Sequence, residues 1–121
     1  LRNRGEGGLA LAQFIAGNVE AMRDLEAAHQ NAQAIDDQYS VAMFAQMLGD
    51  IATQGGNFGQ AEQYFAQALA YYRQHAMRPY IVRILQSLAR LYEKQARNME
   101  AQQARSESEM LMHHLVKEDQ S

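Results

Sequence analysis

The sequence predicts an all-α chain of stacked helix–turn–helix units, and three observations lead there. The first is composition. Of 121 residues 47% are hydrophobic, alanine and glutamine are abundant, and there are 8 Gly and a single Pro. Such residues favour helices, and β-branched residues are too sparse for a sheet protein. The second is a repeat of about forty residues. Sliding the chain by that amount aligns Ala21 with Ala61 and Ala101, Leu25 with Phe65 and Arg105, and Ala28 with Ala68 and Ser108. The same shift sets Leu48 on Leu88, Gly49 on Ala89 and Ile51 on Leu91. The third is the stretch "GNFGQAEQYFAQAL", from Gly56 to Leu69. It places Ala61, Phe65 and Ala68 on one helical stripe, since residues four and seven apart share a face. Small residues let a second helix approach closely while the ring fills the gap beside them.

Each repeat reads as two helices, at 7–16 and 19–35, then 39–54 and 58–76, then 79–95 and 98–116. Asn18, Asn57 and Asn98 fall at the tight turns, where their side chains suit capping of the next helix. Asn57 with Gln60 has capping-box spacing, and Glu20 and Glu100 suit the positive end of a helix. Pro79 fits a first turn, where its missing N–H costs nothing. "IDDQYS" and "QHAMRP" join the repeats.

Length gives one domain, with a core large enough to fold without staples. We divide it into a linker or cut edge at 1–8, a repeat domain at 9–116 and a polar tail at 117–121. Gly5, Gly7 and Gly8 shorten the first helix, and the chain starts with Leu rather than Met. The net charge of −3 argues against a nucleic-acid partner, which needs a clustered basic excess. The absence of Cys removes disulfides and thiolate chemistry and fits a reducing, cytoplasmic setting. The apolar run Leu9 to Ala16 is far short of the roughly 20 residues that span a membrane. No membrane association is expected.

The columns also carry a resemblance. "LARLYEKQARNMEA" and "LGDIATQGGNFGQAEQYFAQAL" resemble the tetratricopeptide repeat (TPR). The match uses Leu88, Ala89, Tyr92 and Ala101, and in the second stretch Leu48, Gly49, Gly56, Phe58, Ala61, Phe65 and Ala68. The first repeat keeps Ala21, Leu25 and Ala28. The period exceeds the usual 34 residues and is similar to the longer-helix variants of about 40. The resemblance covers roughly 7–116 and implies a right-handed TPR-like α-solenoid of three helix–turn–helix repeats, with the first helix of each lining a concave groove.

No enzyme motif is present: there is no Gly-rich phosphate loop, nucleophile elbow or His-Glu-x-x-His. We therefore expect no enzyme activity and no cofactor. His29 and His75 read as surface residues near helix ends. His113 and His114 are adjacent and point about 100° apart on a helix, so no metal site is expected.

By the resemblance, the groove candidates are Met43, Gln46, Met47, Asp50 and Gln54 in the second repeat, and Arg83, Gln86, Ser87, Arg90 and Lys94 in the third. Met43 and Met47 offer adaptable apolar contact, with core filling as the competing reading. Arg83, Arg90 and Arg97, spaced by seven, read as a basic line along one helix, with a solvated face as the alternative. The Lys/Asn/Arg clamp by which some TPR domains grip acidic chaperone tails is not supplied by Gln46, Asp50 and Gln86. The expected function is protein–protein interaction, with a peptide or partner segment held in the groove. The alternative is a sensor or oligomerisation arm of a larger regulatory protein. In the last helix Arg105 stands where a ring is expected. Its strip Met110, Leu111, Leu115 and Val116 is apolar enough to pack back or to form homo-oligomers through the ends of the array.

Overall fold

The computed structural model describes the backbone of residues 19–120, with side chains to residue 117. The expected helix at 7–16, the cap at Asn18 and the linker at 1–8 lie outside the described residues. Every described element is a helix. The described part of α1 covers 19–34. It is followed by α2 (Gln38–Gln54), α3 (Phe58–Gln74), α4 (Arg78–Lys94) and α5 (Asn98–Gln120). Successive helices pack as antiparallel pairs, α2 on α3, α3 on α4 and α4 on α5, and α2 also touches α4.

The turns explain the spacing. Each has one residue in the left-handed region: Asp36 (φ 57°), Gly56 (80°), Ala76 (51°) and Ala96 (58°). These positions recur every twenty residues. At each, two backbone bonds close the helix, as when Asn57 N–H donates to the Ala52 carbonyl at 2.9 Å and Gly56 N–H to that of Thr53 at 3.2 Å. The same pair recurs at Asp37 and Asp36, at Met77 and Ala76, and at Arg97 and Ala96. This is the Schellman closure, and its last residue is also the one that opens the next helix. It ends α3 at Gln74 rather than at 76, because Ala76 is the left-handed residue.

The side-chain caps differ from expectation. Asn57 occupies the N-cap of α3 but makes no side-chain cap bond, and Asn98 is already helical in α5. The side-chain cap belongs to Asp37, whose carboxylate accepts the Ser40 N–H at 3.2 Å and the Ser40 hydroxyl at 2.6 Å. Pro79 does sit in the first turn of α4. The helix α5 continues to Gln120, past the expected helix end at 116.

The core is built from the expected stripe. Ala61, Phe65 and Ala68 are all fully buried, together with Leu48, Tyr72, Ile84 and Leu91. Phe65 lies over Gly49: a Cβ added there would stand 2.5 Å from the ring. Only glycine leaves room for that contact.

The first repeat departs from the columns, since Ala21 is exposed where Ala61 and Ala101 are buried. Helices two apart also meet. His29 of α1 contacts Gln67 and Tyr64 of α3, and Arg73 of α3 holds Glu107 of α5 at 2.6 Å.

Candidate functional site

The outward stripe of α4 follows from its burial pattern. Ile81, Val82, Ile84, Leu85, Leu88, Ala89 and Leu91 are buried, which leaves Arg83, Gln86, Arg90 and Lys94 exposed at helical spacing. The C-terminal half of this stripe faces the C-terminal half of α2. Between them is a cleft of about 370 Å³ lined by Asp50, Thr53 and Gln54 from α2 and by Ser87, Arg90 and Lys94 from α4. Five of the candidates named from sequence therefore meet at one place: Asp50, Gln54, Ser87, Arg90 and Lys94.

Opposite charges line this cleft. Ser87 is buried, and its hydroxyl accepts from Arg90 Nη2 at 3.2 Å. Burial pushes the half-buried Asp50 carboxyl above its ordinary value, opposed by the Arg90 charge and by a hydrogen bond from Ser87. Thr53, not singled out from sequence, donates its hydroxyl to the Gly49 carbonyl one turn back at 2.8 Å. The signal was its position three residues after Asp50, where a helix returns to the same face.

The other five candidates lie elsewhere. Met43 and Gln46 are partly buried against α3, where the Tyr72 hydroxyl lies 3.1 Å from Gln46 Oε1 and 3.4 Å from Met43 Sδ. The Gln46 amide oxygen is thus taken up by packing. Met47 is 47% exposed. Arg83 sets its guanidinium 5.8 Å from the centre of the Tyr80 ring, and Gln86 reaches Met112 of α5.

A tyrosine cluster at the opposite end of α2 and α4 was also missed. The Tyr39 and Tyr80 hydroxyls are 3.3 Å apart, and Tyr39 meets Tyr71 and Tyr80 edge-on, each at 6.4 Å. Tyr39 stands four residues before Met43 and Tyr80 three before Arg83, so both extend stripes already singled out.

Two further readings are corrected, and a third divides between its two alternatives. Arg97 is not part of a basic line on α4, because that helix ends at Lys94. Instead Arg97 lies 4.5 Å over the Tyr92 ring and pairs with Glu62 and Glu100. His29 is buried rather than superficial, with Nε2 hydrogen-bonded to Gln67 Oε1 at 2.9 Å. The apolar strip of α5 divides: Leu111 packs on the core, while Met110, Met112 and Val116 stay exposed. Arg105, also exposed, pairs with Glu93.

Among the described residues no cluster of three or more His, Asp or Glu side chains is placed to hold a metal ion. No described helix is long and apolar enough to cross a membrane. No protein-family model, curated protein or solved structure matches the chain.

Proposed function

We propose that the chain is a TPR-like α-solenoid of three helix–turn–helix repeats that holds a segment of a partner protein along the face shared by α2 and α4. The observation that carries this reading is the cleft between those helices, where Arg90 and Lys94 stand with Asp50, Gln54 and Ser87. The left-handed turns recurring every twenty residues support the repeat, as do the contacts between helices two apart. A partner acid meets Arg90 and Lys94 in charge-assisted contacts, while the exposed Met47, one helical turn before Asp50 on α2, offers adaptable apolar surface.

Peptide-array selection followed by calorimetry tests the reading. Arg90→Ala should weaken selected binders by roughly 1–3 kcal/mol, and added salt should weaken them further. Gln63→Ala, on the exposed side of α3, should change little. Gln67 is unsuitable as that control because it holds His29. Binders that ignore Arg90 and Met47 but respond to Gln63 would overturn the groove.

A second reading, an oligomerisation arm of a larger regulatory protein, is favoured by α5. Met99 and Met110 on that helix are 78% and 64% exposed, and exposed apolar stripes mark association surfaces. Light scattering across concentration tests it, with Met110→Glu expected to abolish any self-association. A monomer at high micromolar concentration would exclude this reading for the isolated chain.

A further inference from the structure

We propose that Asp50 sets the charge pattern the cleft accepts: with Arg90 and Lys94 it selects a partner segment carrying an acid and a base side by side, and disfavours a run of acids. The inference rests on the groove reading and goes beyond it by naming the partner chemistry. A cleft built only to hold carboxylates has no use for a carboxylate of its own. Yet Asp50 lines this one, half-buried, opposite the two cations of α4.

A ligand acid seated on Arg90 and Lys94 lies close to Asp50, where water screens charges less than on an open surface. A second ligand acid beside it is repelled, whereas a lysine or arginine finds in Asp50 a partner. The spacing is set by the helices. Arg90 and Lys94 are one turn apart on α4, about 6 Å. One ligand carboxylate can therefore lie between the two cations, with the base beside it turned toward Asp50 across the cleft. Ser87 and Arg90, already hydrogen-bonded to each other, hold the positive side of the cleft in place. Asp50 acts as a repulsive element against the wrong ligand as much as an attraction for the right one.

The test is a selection of internal random heptapeptides displayed on phage, run in parallel on the wild type, Asp50→Asn, Asp50→Glu and Arg90→Ala. Binders are then measured as N-acetylated, C-amidated peptides. The wild type should enrich acid–base pairs. Asp50→Asn should shift enrichment to acid runs and gain roughly three- to fivefold affinity for the doubly acidic version of a wild-type binder. Asp50→Glu should restore the wild-type preference. Identical enrichment by the wild type and Asp50→Asn, with both lost in Arg90→Ala, overturns the role of Asp50 and leaves the groove standing. Enrichment that survives Arg90→Ala, or none on any variant, overturns both.

Discussion

The Tyr72 hydroxyl donates to Gln46 Oε1 at 3.1 Å across the contact of α3 with α2, from a side chain that is fully buried. It anchors a ring that also packs 5.1 Å from Tyr80 of α4, so one residue ties three helices. Tyr72→Phe should destabilise by about 0.5–1.5 kcal/mol, the range for one intramolecular hydrogen bond. Burial pushes the Tyr72 phenol up to about 12 from 10.0. Because the folded value is the higher one, its contribution is intact below pH 10 and is lost as pH rises through 12. Urea melts across alkaline pH should show a smaller loss in Tyr72→Phe than in the wild type. An equal loss would mean that Tyr72 is not the group responsible.

Close packing of Phe65 on Gly49 makes a second prediction. Gly49→Ala gains up to about 1 kcal/mol of helix propensity, but the new methyl collides with the ring. Ala61→Leu adds volume at a site with no exposure at all. Each should cost about 1–3 kcal/mol net. Thermal melts decide, and an unchanged midpoint in Ala61→Leu would mean that α3 rotates to accept the larger side chain.

The turns offer the opposite sign. Ala76 and Ala96 hold φ of 51° and 58°, where a Cβ is strained by about 1–2 kcal/mol. Glycine removes that strain and costs roughly 0.5–1 kcal/mol of chain entropy. Ala76→Gly and Ala96→Gly should therefore each stabilise by a few tenths to about 1 kcal/mol. Gly56→Ala should destabilise by a similar amount. Denaturant midpoints of the three variants would show the sign.

These particulars indicate what a sequence makes legible. The stripe Ala61, Phe65 and Ala68 could be read because helical spacing is a local property, and all three are buried. Arg90, Lys94 and Asp50 were expected on one face through the resemblance to the tetratricopeptide repeat rather than from spacing, and they line one cleft. What could not be read depends on pairings between helices. Nothing local shows that Gln46 is committed to Tyr72, or that His29 is buried against Gln67. The caps expected at Asn57 and Asn98 failed for a related reason. A backbone bond from Asn57 to Ala52 fixes the turn, so chain reversal does not depend on the asparagine side chain.

The last prediction separates what Asp50 does for stability from what it does for binding. Burial raises its carboxyl above the ordinary 3.8, so the charged form is disfavoured in the folded chain. Its stabilising contribution is complete below 3.8 and is lost as pH rises through the folded value. At neutral pH the ionised carboxylate is therefore a burden on the fold. Asp50→Asn should raise the thermal midpoint at pH 7, with the gap from the wild type closing as pH falls toward 3.8. Glu100 and Glu107 respond in the other direction. Arg97 and Arg73 hold their carboxyls below the ordinary value, so the stability they give is lost on acidification in both proteins and cancels in the comparison. Paired melts from neutral to acid pH make the measurement. A variant less stable than the wild type at pH 7 would show that Arg90 and Ser87 more than offset the burial of Asp50, making it a structural ion pair. A more stable variant would be one in which the acid is retained at a cost to the fold, as expected of a residue that serves recognition.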